Sequence, residues 1–209
     1  MILEQTRADS RKGCERRYPP QVSPNENNQM KGIIFTEFLD MVEQRYSPEV
    51  VEQIISAAEL PSGGAYTAVG SYDHGEIWSL VCELSKVIDV PVPDLFRNYG
   101  EHLFSRLAAN YPHVVANANS LFDMLQSLDN QIHREVRKLY PDAELPSFDV
   151  IERTANRMVV IYASKRHFSE LAEGLMRAAG QHFGHNMTLE RETLPTQEGS
   201  RVRFTLALQ

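Results

Sequence analysis

Residues 148–162 read FDVIERTANRMVVIY, and this stretch decides the class of fold. β-Branched and aromatic residues are concentrated in two runs, 148–154 and 157–162, and such a composition favours β-strands. Only residues 155–156 separate the runs, a length typical of a tight hairpin turn. We therefore predict an antiparallel hairpin, placed after Pro141, where the chain changes from helical to β-rich character.

Downstream of this hairpin the sequence predicts one helix and two further strands. The helix covers residues 168–183, and the strands cover 187–193 and 201–208. Pro195 and Gly199 mark the turn between these strands. The C-terminal part therefore reads as an antiparallel sheet with one packed helix.

Upstream of the hairpin the pattern is helical. Ile34, Phe38 and Met41 recur at the spacing of one helix face. Helices are predicted from residue 33, from Pro48 after an N-cap at Ser47, over 74–87, over 92–110 and over 117–140, the last either continuous or broken near Leu128. A glycine-containing loop is predicted over residues 61–73. The chain thus begins with helices and ends with strands and one helix. This order indicates an α+β fold, with an N-terminal helical subdomain followed by the sheet.

The first 29 residues differ from the rest of the chain. They carry basic residues, prolines and a polar run but no apolar periodicity. We interpret residues 1–29 either as a disordered extension or as sequence upstream of a true start at Met30. One ordered domain is then expected over residues 30–209.

Composition excludes several classes of function. The 209 residues carry a net charge of -7, which argues against a general nucleic-acid binder or a binder of anionic membranes. We find neither a membrane-spanning apolar run nor a signal peptide, so we expect a cytoplasmic protein. Cys14 and Cys82 form neither a CxxC pair nor a CxxCH motif, which excludes covalent c-type haem attachment. No interface pattern stands out, and we expect a monomer.

His133 is the first candidate functional residue. It lies at the edge of an apolar helical stripe, one turn before Val136. A neutral imidazole there suits a metal buried against that face. Taken alone, the pattern favours an ordinary partly buried or surface histidine over a metal ligand.

A second candidate is the run Tyr162-Ala163-Ser164-Lys165-Arg166. In an extended segment alternate side chains share one face, so Tyr162, Ser164 and Arg166 are expected to point the same way. Two hydroxyls and a guanidinium suit a ligand with carboxylates, because arginine binds a carboxylate bidentately. The alternative is a strand end with exposed polar residues.

Together these pieces resemble a known family. From Met30 to its C-terminus the chain resembles the haem nitric oxide/oxygen-binding (H-NOX) domain, which also forms the sensor region of soluble guanylate cyclase. The resemblance rests on the segments MKGIIF at 30–35, SGGAYTAVG at 62–70 and HREVRKLYP at 133–141, and on the Tyr-x-Ser-x-Arg triplet.

The resemblance implies a haem site. His133 would be the axial ligand of a non-covalent b-type haem, buried between the helical subdomain and the sheet. Tyr162, Ser164 and Arg166 would hold its propionates. The family's contacts against the two faces of the haem fall at Pro146 and Ile34.

The resemblance also implies which gas is sensed. The distal positions correspond to apolar residues, namely Phe38, Leu103, Leu107, Leu171 and Leu175. Leu171 stands where the oxygen-binding branch of the family has a tyrosine that donates to bound oxygen. Such a bond to a charged acceptor contributes about 1.5–3 kcal/mol, a roughly tenfold to hundredfold change in affinity. We therefore expect nitric oxide to bind, carbon monoxide to bind more weakly and oxygen to be excluded.

A sensor of this kind signals through a partner. The resemblance implies that nitric oxide weakens the bond to His133 and releases its helix. No output domain can be placed in the sequence, so we expect signalling in trans to a histidine kinase or a cyclic-di-GMP enzyme (diguanylate cyclase or phosphodiesterase). Catalysis is not expected, since no G-x-S-x-G elbow is present. The alternative functions are a haem carrier and a haem-free regulatory adaptor.

Overall fold

The computed structural model describes residues 29–139 and 144–209. The predicted extension over residues 1–29 lies outside the described residues, except for Gln29, which begins the first strand. The end of the predicted helix at Tyr140 and the predicted boundary at Pro141 also lie outside the described residues. The chain divides into two compact units, one ending at Tyr99 and the other beginning at Gly100.

The first unit is mostly helical. Its elements are β1 (Gln29–Lys31), α1 (Gly32–Arg45), α2 (Pro48–Ala57), β2 (Ser71–Asp73), α3 (His74–Ile88) and the N-terminal half of α4 (Val92–Asn110). The predicted cap is present, because the Ser47 hydroxyl accepts the Val50 N–H at 3.4 Å and Pro48 opens α2. Caps of this type satisfy backbone N–H groups that a helix leaves without partners.

The first unit contains a two-stranded sheet that the sequence did not predict. β1 pairs antiparallel with β2, with Met30 opposite Tyr72, where only a loop was predicted over residues 61–73. The Gly32 N–H donates to the Gly70 carbonyl at 2.8 Å and extends the pairing. Three-residue strands are too short for an alternating pattern to reveal them.

The second unit combines helices with a sheet. It contains the rest of α4, α5 (Pro112–Ala116), α6 (Leu121–Ser127), a π-helical turn (Leu128–Ile132), α7 (His133–Leu139), β3 (Ser147–Arg153), β4 (Arg157–Ser164), α8 (Ser169–His182), β5 (Met187–Thr193) and β6 (Ser200–Leu208). The strand order is β3-β4-β6-β5, and every neighbouring pair is antiparallel. The predicted α+β class is confirmed. In the part of the chain that the structure describes, no helix has the length and hydropathy needed to cross a membrane.

The predicted helix over 117–140 is divided into two helices joined by a π turn. Ser120 caps α6 by accepting the Asp123 N–H at 3.1 Å. The π turn follows at Leu128, and the His133 N–H donates to the Leu128 carbonyl five residues back. Of the two alternatives left open by the sequence, a continuous helix or a break near Leu128, the structure shows a change at Leu128 in the form of a widened turn. Such turns are rare and occur frequently at functional sites.

β4 is the central strand of the core. Residues 158–162 of this strand are all buried, because β4 has a strand on each side and apolar side chains pack against it. The cluster around it includes Leu121, Leu125, Met158, Val160, Tyr162, Met176, Val202, Phe204 and Leu206. Near this core α4 approaches α8 closely, and a Cβ atom on Gly100 would lie 2.3 Å from the Leu171 carbonyl oxygen.

Buried charges join α8 to the edge strand β5. Glu170 and Glu173 are 4% and 3% exposed. One guanidinium nitrogen of Arg191 lies 3.0 Å from Glu170 Oε1 and 3.4 Å from Glu173 Oε2, and the other donates to Ser169 at 2.9 Å. Arg177 donates to Glu173 at 2.8 Å. The arginines compensate the cost of removing the two carboxylates from water.

Replacing Arg191 with methionine should destabilise the protein. The variant keeps an apolar stem but withdraws the positive charge from two buried carboxylates. We expect a loss of about 2–4 kcal/mol in the free energy of unfolding, measured by urea denaturation. Arg203→Met is the matched control, because Arg203 pairs with Glu192 on the surface, with 44% and 60% of the side chains exposed. The control should lose less than about 1 kcal/mol. Equal losses would show that the buried network contributes no more than a surface pair.

Candidate functional site

His133 is buried at the beginning of α7, with 7% of its surface exposed. Its Nδ1 atom lies 2.7 Å from Asp129 Oδ1. Burial lowers the pKa of His133 below its ordinary value, and the nearby Asp129 carboxylate opposes part of that shift. The imidazole is therefore neutral at physiological pH, the form that binds a metal.

The Asp129 carboxylate also contacts the sheet. Its Oδ2 atom accepts the Phe148 N–H at 2.9 Å, at the beginning of β3. The Phe148 ring lies 5.9 Å from the His133 ring and 5.4 Å from the Tyr162 ring, measured between centroids. One aspartate and one phenylalanine thus connect the histidine to the strand pair β3–β4.

Tyr162 lies buried on β4, with 2% of its surface exposed. It pairs with Phe148 on one side and Val202 on the other. Its hydroxyl is close enough to Ser164 and Ser200 for hydrogen bonds that favour the ionised form. Burial outweighs these contacts and raises the pKa of Tyr162 to about 12, so the hydroxyl stays protonated and can donate.

Arg166 lies beyond the end of β4, contrary to the expectation of one common strand face. The strand ends at Ser164, whose hydroxyl accepts the Arg166 N–H at 3.1 Å and turns the chain. Ser200 on β6 donates to the Arg166 carbonyl at 2.8 Å and holds the turn in place. Ser164 thus contacts the backbone of Arg166, and the Arg166 charge lowers the pKa of the Tyr162 hydroxyl against the larger effect of burial.

The Arg166 guanidinium is buried, with 8% of the residue exposed. Its Nη1 atom donates to the Glu144 carbonyl at 2.7 Å, and Nη2 lies 3.7 Å from a Glu144 carboxylate oxygen. Lys165 donates to the other carboxylate oxygen at 3.2 Å. Glu144 therefore helps to position this cation.

The remaining predicted pocket residues are divided between the units. In the first unit, Ile34 is partly buried and its carbonyl accepts the Tyr99 hydroxyl, while Phe38 is fully buried with its ring 5.3 Å from that of Tyr99. In the second unit, Leu103 is 2% exposed on α4. The other four residues there are partly buried and lie on α4, before β3 and on α8: Leu107, Pro146, Leu171 and Leu175.

Sequence reasoning missed four contributors to this site. Asp129, Glu144, Phe148 and Ser200 all contact a predicted site residue. Only Asp129 left a readable signal, since it stands four residues before His133, a spacing at which helical side chains meet. The others lie 14 or more residues from their partners along the chain, and only the tertiary structure brings them there.

Comparison with known proteins identifies the family. The haem-NO-binding family model matches residues 31–191. An Fe(II) unliganded H-NOX protein from K. algicida shares 43% identity, with 86% of this chain and 97% of that chain covered and a TM-score of 0.81. An S. oneidensis H-NOX protein in the Fe(II)NO state shares 28% identity, with 86% and 99% covered and a TM-score of 0.78. An IWP-051-bound H-NOX from Shewanella woodyi in the Fe(II)CO state shares 37% identity, with 85% and 94% covered and a TM-score of 0.72.

An α+β fold with a buried neutral histidine near a tyrosine–serine–arginine cluster defines a class of protein that can hold an iron tetrapyrrole. The chain belongs to the haem-NO-binding (H-NOX) family, whose members are haem-binding gas-sensor domains. The resemblance noted from the sequence is confirmed.

The turn before β6 generates a prediction about the site. Gly199 has φ +68°, and a Cβ atom there would lie 2.0 Å from the Ser164 carbonyl oxygen and 2.6 Å from the Lys165 Cα. Gly199→Ala should therefore destabilise the protein and shift the backbone amide resonances of residues 162–166. Gly184→Ala is the control, because Gly184 has φ +69° and nothing within 4 Å of the added carbon. This control should lose only about 1–2 kcal/mol in the free energy of unfolding, which is the cost of a left-handed backbone for a residue with a Cβ atom. It should not shift those resonances. Identical spectra for the two variants would contradict the close packing.

Proposed function

We propose that this chain is a haem-based nitric oxide sensor, with His133 as the axial ligand of a non-covalent haem b. The observation that carries the proposal is the buried His133 ring with its Nδ1 held by Asp129. An Nδ1–H donated to a carboxylate leaves the Nε2 lone pair available to a metal. Metal-ligating histidines commonly donate their other ring N–H to a carboxylate, a backbone carbonyl or water.

The residues present fit the rest of the cofactor. Haem b carries two carboxylates, and the second unit offers two hydroxyls, from Tyr162 and Ser164, and the Arg166 guanidinium within five residues of the chain. We assign these three side chains to the propionates. Charge-assisted bonds from arginine are the stronger kind, so Arg166 should contribute most to haem retention. When bound, ferrous haem supplies the iron that takes a diatomic gas.

Selectivity for the gas is assigned to apolar side chains. Leu103, Leu107, Leu171 and Leu175 carry no hydrogen-bond donor. Bound oxygen carries partial negative charge and is stabilised by a donor, whereas nitric oxide on ferrous iron needs much less help. We therefore propose that nitric oxide binds, that carbon monoxide binds more weakly and that oxygen is excluded. The S. oneidensis relative was solved with nitric oxide and the Shewanella woodyi relative with carbon monoxide, in agreement with this assignment.

Signalling is assigned to His133 and its helix. His133 would hold the haem iron, and its release when nitric oxide binds would let α7 take up a second arrangement that a partner recognises. The gas shifts this equilibrium only by its differential affinity for the two states. We propose a sensor rather than an enzyme, acting in the cytoplasm as a monomer on a histidine kinase or a cyclic-di-GMP enzyme.

Absorption spectra of the reduced protein test the proposal. The spectrum under nitrogen should be that of five-coordinate ferrous haem, it should be unchanged in air, and it should shift when nitric oxide is added. His133→Ala should lose the five-coordinate spectrum, and a wild-type spectrum in this variant would overturn the ligand assignment. A protein that takes up no haem would instead be the haem-free adaptor. Rapid loss of haem to apomyoglobin would favour the carrier.

Leu171→Tyr tests the assignment of gas selectivity. A phenol at this position should donate to bound oxygen and raise oxygen affinity roughly tenfold to hundredfold. Leu171→Phe is the matched control, because it introduces the same ring without the donor. Oxygen affinity is measured by titrating the reduced proteins with air-saturated buffer. If phenylalanine raises oxygen affinity as much as tyrosine, the hydroxyl is not responsible and the assignment is wrong.

A further inference from the structure

We propose that Asp129 is a positioning residue that sets the strength of the His133–iron bond and connects the release of His133 to strand β3. The inference rests on the proposed function, because it concerns the same histidine. It adds a residue to which neither the sequence analysis nor the family comparison gave a role. Its basis is one carboxylate with two partners in different elements.

The first partner is the imidazole. Asp129 Oδ1 and His133 Nδ1 lie 2.7 Å apart, and an ionised carboxylate can only accept. The shared proton therefore resides on Nδ1, and Nε2 carries the lone pair. A charged acceptor increases the electron density of the ring and makes Nε2 a stronger donor to iron. The same bond restricts rotation of the ring.

The second partner is the backbone of the sheet. Asp129 Oδ2 accepts the Phe148 N–H at 2.9 Å, and the Phe148 ring contacts the rings of His133 and Tyr162. Phe148 pairs directly with Tyr162 in the sheet. A movement of His133 that carried Asp129 with it would withdraw an acceptor from the Phe148 N–H at the start of β3, beside the proposed propionate site.

The place of Asp129 in the chain brings its carboxylate to the histidine. Asp129 lies within the π turn Leu128–Ile132, and His133 follows that turn directly. The two residues are four apart, a spacing at which helical side chains meet. Only 34% of the Asp129 side chain is exposed, so both bonds are partly shielded from water and are stronger for it.

Asp129→Asn is the direct test. Asparagine has nearly the same shape but one oxygen and no charge, so it cannot satisfy both donors and it polarises the ring less. The ferrous protein should show a lower iron–histidine stretching frequency by resonance Raman spectroscopy and a higher midpoint potential. Release of His133 after nitric oxide is added should be roughly tenfold faster, the lower end of what such supporting contacts usually contribute. Amide exchange at Phe148 should also accelerate.

Asp149→Asn is the matched control. Asp149 is an exposed residue of β3, and this variant removes the same charge next to Phe148. It should keep the wild-type frequency, potential and release rate. If Asp129→Asn also keeps them, Asp129 has only a structural role and the inference is wrong. If both variants change the frequency, the potential and the release rate equally, the loss of one negative charge near Phe148 explains the effect. That outcome would also overturn the inference.

A second measurement avoids dependence on the folding of the Asp129 variant. In His133→Gly, added imidazole replaces the missing side chain and 1-methylimidazole does so without an N–H. With Asp129 intact, imidazole should bind about tenfold more tightly than 1-methylimidazole. Equal affinities would overturn the inference. A wild-type protein that shows no iron–histidine band would overturn the proposed function first, whereas a wild-type band unchanged in Asp129→Asn overturns only the role of Asp129.

Discussion

The pairing of β4 with strands on both of its sides is the constraint on which the second unit depends. Tyr162 is held opposite Phe148 by one ladder and opposite Val202 by the other. Successive side chains of a strand point to opposite faces, so a slip of one residue would turn Tyr162 away from its neighbours. The register therefore determines which aromatic ring lies beside His133 and which hydroxyls meet beside Arg166.

Desolvation then determines the chemistry of these groups. His133 is buried and its pKa is lowered, while burial raises the pKa of Tyr162. Both shifts leave the side chain neutral, with a lone pair on the imidazole and a donor on the phenol. Asp129 and Arg166 supply the charges, and each is close enough to act on one of these groups. The site thus combines a neutral imidazole beside a carboxylate with a neutral phenol near a guanidinium. This combination suits a cofactor that has both a metal and carboxylates.

The longer helices and most strands could be predicted because their signals are local. Ser47 and Pro48 begin a helix through groups within one turn, and 92–110 and 187–193 were predicted with the bounds that the structure shows. The β1–β2 pairing was missed, because three-residue strands carry no periodicity and depend on a partner 42 residues away, from Met30 to Tyr72. The π turn was expected only as a break, since a widened turn differs from an interruption in backbone geometry rather than in residue type.

By itself, the sequence determined the order of the longer elements, the α+β class and the family, because apolar periodicity, caps and short motifs are properties of neighbouring residues. It also named His133, Tyr162, Ser164 and Arg166, though it placed the arginine on a strand that ends before it. Only the tertiary structure decided how these side chains are held. The proton on His133 Nδ1 is assigned by a carboxylate that also binds an N–H 19 residues further along the chain. Contacts of that kind arise from folding in three dimensions, and no local pattern encodes them.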